Sequence, residues 1–477
     1  MKPGPKARQF LRVFAKTFAW LLGTSLALFL AMVAVNWSDE ELTPEAKALL
    51  KAPPDPYKPE ENLYLALLGL DAPQGASPVA AGRTRVAVYE DELAAGLRNP
   101  EYVFPHLMER RSKRMPFQGV LGFCRPLQDS CYADVELHRD EIEASLKANR
   151  ELFERYSRLR GMKGYYETGT PSFYMLVPYA PPDVRQLVLA DIALRMKADS
   201  LAKQKAAFAD LGDDIRTWRR MLAGSGSLIS KMIAVANLQG DYALLADVIA
   251  DPDAELDRFS AEIGAMLDLS SESEWKIGAI FAYEYRADAY LWDQMRAARR
   301  RSAADAPADD SYEWWELYLD RIKPPFLKIN ATQNLHARVM MQLEKVADAA
   351  PGEYFAAWKA YQDWLGRNVQ PGLNYVYNPT GKSLVAIGAE AYEDYPLRAY
   401  DAAAFKRLVR LGYEIRKRKI DDKAIPSFMQ QHPEWATHPV DGKLFLWDGT
   451  KREIAVQTLG RQPKDRRFGI RAWSAVP

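Results

Sequence analysis

Hydrophobic and polar residues follow three patterns along this chain. In the first, Thr17 to Trp37 ("TFAWLLGTSLALFLAMVAVNW") runs for 21 residues without a charge. A helix of that length covers roughly 30 Å, the thickness of a bilayer's hydrocarbon core. The segment therefore predicts a transmembrane helix, with Trp20 and Trp37 where interfacial aromatics lie. In the second, from Asp140 to about residue 425, apolar positions recur at helical spacing in long Ala- and Leu-rich segments. In the third, beyond residue 426, the period shortens to two. "KLFLWDGTKREIAVQTL" sets alternating runs around Asp448-Gly449, a hairpin signal, and "RRFGIRAW" offers a third strand.

Within the helical stretch, "RDEIEASLKANRELFERYSRL" begins with acids and carries bases later, which complements a helix dipole. After Pro181-Pro182 the next helix sets Leu187, Leu194, Leu201 and Phe208 at intervals of seven, read as a core-facing stripe in preference to a dimer seam. Gly224-Ser225-Gly226 makes a tight turn between two helices, the second capped by Ser227. As a dinucleotide fingerprint that stretch fails, because its third glycine would fall at Ile229 and no strand precedes it. "SESEWKIGAIFAYEYRADAYLWDQMRAARRRS", "LHARVMMQLEKVADAA" and "EYFAAWKAYQDWL" predict three further helices, and no solenoid repeat is found.

Between anchor and helices, "LTPEAKALLKAPPDPYKPEE" carries Pro44, Pro53, Pro54, Pro56 and Pro59, which favours an extended spacer lifting the body off the membrane. "NLYLALLGLDAPQGASPVAAG" then reads as one extended apolar segment and a loop. The expected organisation is a basic tail (1–16), a transmembrane helix (17–37), a Pro-rich spacer (38–61), a small mixed subdomain (62–139), a helical body (140–425) and a C-terminal β-element (426–477). The fold class is mainly α: an irregular multi-helix array with a short antiparallel β-element, after one transmembrane helix.

Charge sets the orientation. Lys2, Lys6, Arg8, Arg12 and Lys16 precede the apolar run while Asp39, Glu40 and Glu41 follow it, so the positive-inside rule leaves the tail in the cytoplasm and exports the rest. A cleaved signal peptide shares this order, but the run exceeds the usual apolar region and "AMVAVNW" offers no good cleavage site. With 64 basic and 63 acidic residues, the net charge of +1 indicates no nucleic-acid partner.

The two cysteines, Cys124 and Cys131, bracket "RPLQDS" and read as a local disulfide of an oxidising compartment. A metal site adding His106 or His138 lacks the spacing of zinc motifs. In "NYVYNPTGKSLVAIG", Gly381-Lys382-Ser383 resembles the end of a phosphate-binding loop, but Val376 stands where the first glycine should be. Asn378-Pro379 instead reads as a turn, with Gly381 allowing the bend into a helix. His106, His138, His336, His432 and His438 form no HExxH or i, i+4 pair, and there is no nucleophile elbow. No cofactor, metal or nucleotide is expected. The one catalytic candidate is Glu284, on a face that reads Ile277, Ile280, Glu284, Ala287, Leu291; such a carboxylate is a raised-pKa acid or a structural acid paired with Arg286 or a tyrosine.

"ENLYLALLGLDAP", the Cys124/Cys131 pair, "TWRRMLAGSGSLISKMI", "YNPTGKSLVAIGAEAYEDYPLRAYD" and "HPVDGKLFLWDGTKREI", in that order, give a chain that resembles a family of uncharacterised single-pass inner-membrane-anchored proteins of proteobacteria. The resemblance implies location and general organisation and brings no catalytic residues. Two functions remain open at this point. One is a non-enzymatic, protein-binding component of the cell envelope, drawing on 12 Trp and 24 Tyr. The other is a periplasmic hydrolase of cell-wall glycan or peptide using Glu284.

Overall fold

The computed structural model describes residues 5–99, 102, 114–119, 121–125, 127–128, 130–178, 181–268, 272–304, 326–370, 372–460 and 467–471. The first helix runs from Pro5 to Val35; its Val13–Val35 portion has a mean hydropathy of 2.2 and none of it is buried. It is a long apolar helix consistent with a single membrane span. The helix Leu228–Ala250 also passes by length, with a mean hydropathy of 1.2, but 67 % of its apolar window is buried, as in a core helix.

Beyond the first helix the described chain is a helical array closed by three antiparallel strands, β1 (Leu446–Asp448), β2 (Glu453–Gln457) and β3 (Arg467–Arg471), in the order β1-β2-β3. Trp447 pairs with Ile454, Ile454 with Ile470 and Val456 with Phe468. Ile454, Val456, Phe468 and Ile470 are buried, and Phe468 stacks on Phe405 of the helix Asp394–Lys417 with ring centroids 4.6 Å apart. That helix packs along Leu228–Ala250, and one cluster of buried side chains runs from Ala46 to Ile470.

Several expectations need correction. The apolar run after Asn62 is a helix, Leu63–Leu68, rather than an extended segment: the Asn62 side chain accepts the Tyr64 N–H at 3.0 Å and caps it, and all six residues are buried. A short, wholly apolar run carries no period that separates strand from helix. Here a backbone crossing favours the helix, since a Cβ on Gly82 of the helix Pro78–Arg98 would stand 2.0 Å from the Leu65 carbonyl oxygen. Among the described residues from 62 to 139 the regular elements are helical, not mixed.

The predicted spacer does not lift the body away. Pro44 is the first residue of a helix, Pro44–Leu49, capped by Thr43, and Ala46 is buried. The proline-rich half that follows runs along the body, where the Tyr166 hydroxyl donates to the Pro53 carbonyl.

Two expected helices are broken. Asn149 divides Arg139–Ala148 from Arg150–Leu159, because its side chain bonds both the N–H and C=O of Gln118. The seven-residue stripe is split between Pro182–Met196 and Leu201–Ala223; Leu187, Leu194 and Phe208 are buried but Leu201 is exposed. Local sequence cannot reveal the first break, since the competing hydrogen-bond partner is distant in sequence.

Candidate functional site

Glu284 lies on the helix Ile280–Ala304 and accepts the backbone N–H of Leu228 at 2.7 Å. Leu228 opens the helix Leu228–Ala250, whose preceding residue, Ser227, accepts the Ser230 N–H. Glu284 and Ser227 thus satisfy two of the amides that a helix start leaves open. The expected partner was an arginine or tyrosine; Arg286 instead donates to the Leu49 carbonyl.

Burial pushes the Glu284 carboxyl up to about 7 against the opposing pull of the Leu228 N–H, and Asp288 and Glu167 add to the rise. One turn along the same helix, burial raises Asp288 to about 7 as well. Asp288 meets His336 Nε2 at 3.1 Å, and burial lowers that imidazole to about 4. Asp288 and His336 therefore meet between the helices Ile280–Ala304 and Ile329–Ala347, one turn from Glu284. Neither Glu284, Asp288 nor His336 lines the clefts described below or beside the Thr43 and Pro78 segments.

Behind Glu284, Glu167 Oε1 accepts the hydroxyls of Tyr165 at 2.7 Å, Ser227 at 3.0 Å and Ser230. Lys231 donates to the carbonyls of Met221 and Gly224, closing the end of the helix Leu201–Ala223, and burial lowers its ammonium to about 7. The Gly224–Gly226 turn links two helices as expected, and the hydroxyls of Tyr165, Ser227 and Ser230 with the Lys231 ammonium hold the residues around it.

The second site is the foot of the first helix. Asn36 is fully buried; its amide donates to the Met32 and Val376 carbonyls at 2.8 and 2.7 Å, and its Oδ1 accepts the Asn378 N–H at 2.8 Å. Asn378 sits in the left-handed region with φ 51°. Its Oδ1 accepts the Lys328 N–H at 2.8 Å and its Nδ2 donates to Thr332 Oγ1 at 2.9 Å. Asp39 accepts the N–H groups of Asn330 and Ala331 at the start of Ile329–Ala347, and Asn334 bonds Glu40, the Glu41 carbonyl and the Thr43 N–H. An acid at a helix N-terminus is favoured by the helix dipole.

The "NPTGKS" stretch supplies the other half of this junction. Pro379 is the first residue of the helix Pro379–Ala389, and a Cβ on Gly381 would fall 1.9 Å from Thr332 Oγ1, so glycine here permits a close helix approach rather than a bend. Sequence reasoning missed the junction, although "NWSDEEL" and "YNP" were the available signals: polar residues gathered directly after an apolar span.

Cys124 and Cys131 form a disulfide. His138 stacks on Phe123 at 3.9 Å and bonds Glu141; His106 lies outside the described residues. The loop closed by the disulfide borders an open cleft of about 890 Å³ with Asp247, Lys197 and Arg471 in its wall. Burial raises Asp247 to about 6, and it accepts the Ser130 hydroxyl at 2.9 Å. Among the described residues no group of three or more His, Cys, Asp or Glu side chains is placed to hold a metal ion. No family model matches the chain, and comparison with curated proteins and with solved structures found no match.

Proposed function

We propose that this chain is a single-pass protein of a bacterial inner membrane, of the uncharacterised anchored family it resembles, with its body in the periplasm as a non-enzymatic, protein-binding component of the cell envelope. The observation that carries the reading is the hydrogen-bonded foot of the first helix. An enzyme acting on dispersed polymer gains reach from a flexible tether. A body clamped to its membrane helix through Asn36 and Asp39 holds one orientation, which suits docking with a partner fixed in or near the same bilayer. The disulfide and the basic flank of the apolar helix support export to an oxidising compartment.

The test is purification of the full-length, C-terminally tagged protein from its native membrane in mild detergent, with mass spectrometry. A stoichiometric envelope protein is expected. A lone monomer in every detergent and salt condition would overturn the reading.

One observation favours a second reading, the hydrolase. Glu284 and Asp288, one helical turn apart and both raised to about 7, are the kind of carboxyl pair that does general acid work. A Glu284→Gln protein with full cellular function would dismiss it.

A further inference from the structure

The helix Pro379–Ala389 has two faces. Gly381, Val385 and Ala389 are buried against Ile329–Ala347, whereas Leu384 is 42 % and Ile387 77 % exposed. Isolated exposed apolar side chains are ordinary on a protein surface. Their helix begins at the foot of the apolar first helix, since the segment that opens it is bonded to Asn36 through Val376 and Asn378. Val376 is itself exposed, as is Trp37.

A second observation gives the depth. Phe326, from the segment that leads into Ile329–Ala347, packs against Phe29 with ring centroids 6.2 Å apart. Phe29 lies seven residues before Asn36, roughly 10 Å back along the helix. The body therefore does not stop at the end of the apolar run but overlaps its last two turns.

We propose that Pro379–Ala389 is an interfacial helix, with Leu384 and Ile387 inserted at the boundary between headgroups and acyl chains of the bilayer that the first helix spans. The inference rests on the membrane-anchored reading. An amphipathic helix lying in the interface buries its apolar side chains about 5–10 Å below the headgroups, a depth matched by the overlap of Phe326 with Phe29. The protein then meets the membrane through two elements, and their hydrogen-bonded junction fixes the tilt of the body.

Both native cysteines are in the disulfide, so an introduced cysteine is the one free thiol. The full-length protein carrying Leu26→Cys, Ile387→Cys or Leu137→Cys is labelled with an environment-sensitive fluorophore and reconstituted in phosphatidylethanolamine–phosphatidylglycerol vesicles, with and without a nitroxide on the upper acyl chain. All three positions are exposed, and each labelled protein is required to unfold like the unlabelled one. Labels at 26 and 387 should each lose about half their emission to the lipid nitroxide, and the label at 137 none. Quenching at 26 without quenching at 387 would overturn the interfacial helix and leave the anchor standing. Quenching at neither would overturn both.

Discussion

Asn36 and Asn378 are 342 residues apart in sequence and 2.8 Å apart in space, from the Asn378 amide nitrogen to the Asn36 side-chain oxygen. Around that bond the end of the apolar helix, the turn before Pro379 and the start of Ile329–Ala347 become one hydrogen-bonded block. If the first helix spans a membrane as proposed, this junction transmits its orientation to the body, which a string of prolines would not.

Asn378→Ala should show the weight of that block. The substitution removes the acceptor for the Lys328 N–H and the donor to Thr332, and it places alanine in a left-handed conformation. A loss of about 2–4 kcal/mol is expected in denaturant unfolding of the detergent-solubilised protein. Asn378→Gly keeps the backbone freedom and isolates the side-chain share; an unchanged midpoint for both variants would mean that the junction contributes nothing.

Glu284→Gln should flatten the pH dependence of stability. The folded carboxyl titrates near 7 against an ordinary 4.5, so between those values the folded state holds a proton that the unfolded state has released, and stability falls as pH rises. Glutamine still offers an oxygen to the Leu228 N–H. The variant should match the wild type near pH 4 and exceed it by about 3 kcal/mol at pH 8. Unfolding curves at the two pH values check this, and a wild-type slope in the variant would assign the titration elsewhere.

Arg185 is buried between two helices and donates to both Asp214 and Asp241, with the Tyr156 hydroxyl and the Asn237 side chain completing its shell at 3.1 Å each. Arg185→Met leaves Asp241 buried without its cation and Asp214 with only Arg160, 3.6 Å away. A loss of about 3–5 kcal/mol is expected, enough to lower expression visibly. Restoring stability with Arg185→Met/Asp214→Asn/Asp241→Asn would confirm that unpaired charge, and not lost packing, is the cause.

Cys124→Ser/Cys131→Ser opens a loop with a sequence separation of seven. The chain-entropy cost of so short a loop is about 2–3 kcal/mol, to be read as a lower unfolding midpoint. Hydrogen exchange should rise first at Ser130 and Tyr132, beside Asp247.

The sequence carried the first helix and the hairpin plainly, because each rests on local signals: an uncharged run long enough to span, and Asp448-Gly449 between alternating runs. The Ser227 cap was equally legible. Asn149 and Asn36 were not, since what each does depends on a carbonyl or amide supplied from elsewhere in the chain. Glu284 stood out as a carboxylate on an apolar face, yet its partner is a backbone N–H that no side-chain pattern announces.

The long reach between the two asparagines also orders events during synthesis. In the membrane-anchored reading proposed above, the apolar helix enters the membrane while the groups that will close around Asn36 are still untranslated. At about 5–20 residues per second, some twenty seconds to a minute separate the two. On that reading a nascent chain stalled before Ile329 would be anchored, but the partners of Asn36 and Asp39 would still be missing. The junction therefore closes late in synthesis, when the last third of the chain returns to the end of the first helix.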